Sequence, residues 1–211
     1  MPSLADFSRF FASLTSLDLV IGFSVTAAVI LLVSDWRISV LALIVQYVLA
    51  TVVLATIVQL DVAIVRLIGG ALVAAMIYLT ARSGRAQAES PARTVFILAL
   101  PARLIALVLV AVAVIVLAGQ GPMLNAPAII WLVSLWLGAV GLLVVVSTRD
   151  ALKVGMGLLT FTTGFGLLYL SLDPSLLVYG LLVTSDLVIA LIITHLASAP
   201  AGRAVRRRGE M

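Results

Sequence analysis

The sequence predicts an all-α polytopic membrane protein of about seven transmembrane helices, and three observations carry that prediction. Of the 211 residues, 64% are hydrophobic and 10% charged, against roughly 45–50% and about 25% in a soluble domain. Apolar runs recur along the whole length, with a mean hydropathy of +1.30, and each is close to the roughly twenty residues a helix needs to cross a hydrocarbon core. Most of the basic residues sit in short segments between those runs or in the tail beyond the last of them. A soluble globular domain is excluded.

Bounding the runs by charge, Pro or Gly gives seven spans: Leu17–Val33, Ile38–Leu60, Val62–Thr80, Thr94–Ala118, Ala126–Val146, Ala151–Leu172 and Ser175–Ala197. Ahead of the first, Leu4, Phe7, Phe10, Phe11, Leu14 and Leu17 recur at three- and four-residue spacing among polar residues. Residues 1–16 therefore read as an amphipathic helix lying in the interface. A cleavable signal is not expected, because Asp6 stands where a basic start belongs. Residues 17–198 form a single transmembrane domain. Beyond it, 199–211 carry four Arg and almost nothing apolar, a basic tail suited to anionic lipid.

Charge sets the expected orientation. With seven spans, Arg37, Arg82, Arg85, Arg93, Arg149, Lys153, Arg203, Arg206, Arg207 and Arg208 fall on one side, ten of the thirteen basic residues. The positive-inside rule places that side in the cytoplasm and the N-terminus outside; six or eight spans would scatter the charges. The same placement explains the net charge of +4 without nucleic acid, which is not expected as a partner.

A repeat is also expected. Arg37 and Asp61 bracket span two as Arg149 and Asp173 bracket span six, at an offset of 112 residues that also pairs Thr51 with Thr163 and Ile77 with Ile189. Residues 17–82 would then correspond to 126–198, two parallel three-helix units joined by span four as a linker. Chance matching of Leu-rich segments is the competing reading.

Chemistry narrows sharply. The chain has no Cys and one His, His195, so thiolate metal sites, iron–sulfur clusters and bis-His haem ligation within it are excluded, and no cofactor is expected. What remains is proton or ion chemistry. Asp186 is the most informative residue, eleven positions from either end of span seven and so near the bilayer midplane. A carboxyl there must face protein or water. Either it relays protons, or it is held neutral against a neighbouring subunit. Thr160, Thr162 and Thr163 on span six lie at comparable depth, with Thr184 and Ser185 beside Asp186, and Gly164 and Gly166 follow. They read as a hydrated path or as helix packing, as Ser134, Gly138 and Gly141 do on span five.

Gln46, beside Tyr47 in span two, needs a partner for its amide, in this chain or in another subunit. Arg66 is expected to snorkel outward from the start of span three, with a buried cation as the alternative. Arg103 follows Pro101, so either span four starts late and leaves Arg103 near the cytoplasmic surface, the favoured reading, or the helix is kinked with an internal cation. His195 reads as an interfacial His or a proton entry group.

Arg149-Asp-Ala-Leu-Lys153, then Gly157, the turn Asp173-Pro174 and Thr184-Ser-Asp186 resemble the small K-type subunit of complex I. With Arg37-Ile-Ser, Gln46 and Thr80-Ala-Arg82, the chain is more similar still to the component E family of hydrogenase-4-type complexes, over roughly residues 35–84 and 146–198. The resemblance implies a subunit of a respiratory assembly in a bacterial or archaeal cell membrane, with other integral membrane subunits and lipids as partners. It also implies that Asp186 is part of a proton route, and with it the relay candidates are Asp186, Thr162, Thr163, Gln46, His195 and Lys153. The sequence departs from the pattern where an acidic residue would fall, near Leu159 or Thr162, and where a basic one would fall, near Gly69. Three functions remain open: an ion-translocating subunit, a structural membrane subunit, and a small secondary transporter.

Overall fold

The computed structural model describes residues 16–55, 60–86, 99–121, 126–172 and 175–198. These form seven helices: α1 (Ser16–Leu32), α2 (Trp36–Ala55), α3 (Leu60–Ala86), α4 (Leu100–Gly119), α5 (Ala128–Ser147), α6 (Ala151–Leu172) and α7 (Leu176–Ser198). No strand occurs among the described residues. Six of the helices are long and apolar enough to cross a membrane, while α1 is apolar but shorter; its 17 residues sit at the lower limit for a span. The chain is a multi-pass integral membrane protein.

Helix starts follow local chemistry. The Asp35 carboxylate accepts from the Arg37 backbone N–H at 2.9 Å at the start of α2, and Asp150 accepts from Leu152 N–H at 3.2 Å at the start of α6, both capping donors that lack an intrahelical partner. Pro101 stands in the first turn of α4, where its missing N–H costs nothing. The third helix passes the expected boundary at Thr80: α3 runs on to Ala86, because Ala and Arg favour helix. Asp61, which brackets span two in the sequence, is the second residue of α3. The expected interfacial helix, the tail and the turn at Asp173 lie outside the described residues.

The core is built around α6, which packs against α5, α7, α2 and α1. Its seam with α5 is backbone-close: a Cβ on Gly141 would stand 2.7 Å from the Gly157 carbonyl oxygen, and one on Gly164 would stand 2.8 Å from Leu137 Cβ. Gly141, Gly157 and Gly164 thus serve packing, whereas a Cβ on Gly138 or Gly166 would make only ordinary contact. By contrast α4 sits outside, against α5 and α1, burying only Arg103 and Val114.

Shifting α1–α3 by 112 residues carries the start of α1 onto the start of α5 and the end of α3 onto the end of α7. In addition, α1 touches α5, α2 touches α6 and α3 touches α7. A parallel repeat produces such relations, and the duplication is a proposal that they support.

Candidate functional site

Asp186 lies ten residues after Leu176 and twelve before Ser198 on α7, about 15–18 Å from each helix end. It is 2% exposed, and among the described residues it has partners within this chain. Arg66 Nη1 stands 3.2 Å from Oδ2 as an ion pair. The Tyr47 hydroxyl donates to the same oxygen at 3.2 Å, and the Thr162 hydroxyl donates to Oδ1 at 2.6 Å. Arg66 Nη2 donates to Thr163 Oγ1 at 3.2 Å, and its guanidinium lies 5.3 Å from the centre of the Tyr47 ring. Four helices therefore meet at one charge pair, α2 through Tyr47, α3 through Arg66, α6 through Thr162 and Thr163, and α7 through Asp186.

The local sequence explains how they meet. Gly69 and Gly70 follow Arg66 by three and four residues and so share its helix face. A Cβ on Gly69 would come 2.8 Å from Val183 Cγ1 of α7, and one on Gly70 would come 2.7 Å from the Tyr47 ring of α2. Absent side chains at these two positions bring the helices bearing Asp186 and Tyr47 up to α3, one turn from the guanidinium. Arg66 is 4% exposed. The expected outward snorkelling is thus corrected: the side chain turns inward, because a buried carboxylate is within its reach.

A second cluster lies at the basic end of the bundle. Lys153, 1% exposed, donates through Nζ to the carbonyls of Ile30 at 2.7 Å and Val33 at 2.6 Å and to Ser39 Oγ at 2.6 Å. Arg103 Nη1 donates to the carbonyls of Leu31 at 3.3 Å and Leu32 at 3.5 Å. Two cations so satisfy the carbonyls that the end of α1 leaves without intrahelical donors, where the helix dipole favours positive charge. The late start of span four is matched by α4, in whose first turn Arg103 stands, its side chain buried in the protein. Lys153 is positioned as this clamp.

The remaining candidates separate. Gln46 is fully buried, which puts a partner in another subunit out of reach. His195 is exposed on α7, nine residues beyond Asp186, or about 13.5 Å along the axis. Thr184 is exposed and donates to the Gly180 carbonyl rather than lining the pair. Tyr47 was not among the sequence candidates; the available signal was a phenol hydroxyl in mid-span, which needs a partner when buried.

A cavity of about 300 Å³ between α1, α4 and α5 is lined by Val20, Phe23, Val114, Trp136 and other residues of those helices, which contribute nothing to the pair. No family model matches the chain, and no curated protein or solved structure is detectably similar to it.

Proposed function

We propose that this protein is an integral membrane subunit of a complex I-related or group 4 hydrogenase-like respiratory assembly. In this reading Asp186 takes part in ion translocation driven by redox chemistry in other subunits. The observation that carries the reading is the Arg66–Asp186 pair, buried at mid-depth and ringed by the hydroxyls of Tyr47, Thr162 and Thr163. Two charges inside a membrane are costly, and apolar side chains of like size often serve stability as well or better. Ionisable residues retained there mark ion or proton paths.

The geometry favours a proton over sodium. A proton arriving on an Asp186 oxygen needs only a lone pair; it neutralises the carboxylate and weakens the hold on Arg66, and its departure restores the pair. A sodium ion would have to displace the guanidinium and gather several oxygens around itself. The resemblance to the component E family supports the same reading. Where that pattern carries an acidic residue, Thr162 places a hydroxyl on Asp186, and the cation missing near Gly69 is supplied one turn earlier by Arg66. The partners are other integral membrane subunits and lipids, and the basic end faces the cytoplasm of a bacterial or archaeal cell.

A structural subunit is the second reading, favoured by one observation: both Asp186 oxygens are already satisfied inside the chain, as in a static pin. Proton translocation per electron in native membranes distinguishes the two. Asp186→Asn is expected to lower the ratio while the host assembly still purifies with all its subunits. An unchanged ratio and turnover in that intact assembly would leave the structural reading alone.

A further inference from the structure

Gln46 is completely buried on α2, and neither its amide nitrogen nor its amide oxygen meets a protein partner among the described residues. An amide left so inside a membrane is costly, and helix register shows what lies beside it. Lys153 Nζ donates to Ser39 Oγ, which fixes α6 and α2 at one depth. Seven spans in alternation run these two helices in the same direction, and they pack against each other. Seven residues on from Ser39 is Gln46, and seven residues on from Lys153 is Thr160. Seven residues are nearly two turns, so each lies on the face of its predecessor and about 10.5 Å further along.

Thr160 is also fully buried. Its hydroxyl donates to the Met156 carbonyl at 2.8 Å, which leaves the oxygen as an acceptor. Immediately beyond this level lies the charge pair: Tyr47 is the next residue on α2, and Thr162 and Thr163 are the second and third beyond Thr160 on α6. Gln46 and Thr160 therefore stand between the Lys153 cluster and the Asp186 group.

We propose that the Gln46 amide and the Thr160 hydroxyl hold a buried water on the side of the Asp186 site that faces the basic end of the bundle. An amide and a hydroxyl offer the donors and acceptors such a water requires. The inference deepens the functional reading and rests on it, because it places a proton-carrying water next to the Asp186 group. That water's oxygen accepts one proton as it passes another on, so the only lasting change of charge is at Asp186.

The test is hydroxyl-radical footprinting by X-ray radiolysis of the full chain in phospholipid nanodiscs, which labels side chains next to bound water. Tyr47 and Met156, 3% and 0% exposed, are expected to be labelled despite their burial. Gln46→Leu is expected to lower that labelling roughly threefold or more by removing the water's partners. Thr160→Val, which keeps the side-chain volume, serves as the second variant should Gln46→Leu fail to fold. No labelling in the wild type, or labelling unchanged in the variants, overturns the inference and leaves the Asp186 reading standing. Normal translocation by Asp186→Asn overturns the reading on which it rests.

Discussion

Arg66 and Asp186 depend on each other more than on any apolar neighbour. Removing one partner leaves the other charged and unpaired in a medium that cannot solvate it, at a cost of about 3–5 kcal/mol. Arg66→Met and Asp186→Leu should therefore each lower stability by that order, measured by unfolding in mixed micelles, while the double variant recovers most of the loss. Full additivity in that cycle would mean that the 3.2 Å contact contributes little to holding the bundle together. Tyr47→Phe removes one hydrogen bond from Asp186 but keeps the ring over the guanidinium. Its expected cost is about 0.6–1.7 kcal/mol, the range for single hydrogen bonds between membrane helices. At this scale the sequence was legible in part. The depth of Asp186 follows from counting residues along an apolar run. That Arg66 is its partner does not, because lipid and protein interior are both apolar and leave no polar stripe to show which faces meet.

Among elements, α1 is the one held from its end. Its last carbonyls receive Lys153 and Arg103, so Lys153→Met should leave those of Ile30 and Val33 without their donor. The expected penalty is about 1–3 kcal/mol, seen as faster amide hydrogen exchange through the last turn of α1 and the start of α2. Exchange unchanged there would mean that water or Arg103 takes over the clamp. The approach of α3 to α2 depends on Gly70, whose Cβ would meet the Tyr47 ring. Gly70→Val should overpack that contact by about 1–3 kcal/mol and move Tyr47 off Asp186, read as a change in tyrosine fluorescence or ring-proton shift. Element positions were largely legible in the sequence: span six was placed at Ala151–Leu172, and α6 occupies those residues. The end of α3 was not, since Arg82 marks the membrane boundary but does not stop a helix, which continues to Ala86.

For the whole molecule, the two clusters are arranged along one axis. The Lys153–Arg103 clamp at the basic end secures α1 against α2, α4 and α6, and further in the charge pair ties α3 and α7 to α2 and α6. The basic end should face the cytoplasm, and the absence of native cysteine makes single-cysteine labelling a clean check. A cysteine in place of Arg149 should resist a membrane-impermeant thiol reagent applied outside intact cells, and one in place of Gly121 should react; the reverse pattern would invert the proposed topology. Isolation in mild detergent should bring down larger membrane subunits, and a chain that emerges alone would favour a free-standing transporter. The central claim is that Asp186 changes protonation as the protein works. Infrared difference spectroscopy of the native assembly during turnover tests it most directly. The account predicts a protonated-carboxyl band that rises and falls with turnover, shifts in deuterated water and disappears in Asp186→Asn. A turning-over assembly with no carboxyl band assignable to Asp186 would contradict it and leave the Arg66–Asp186 pair as a structural pin.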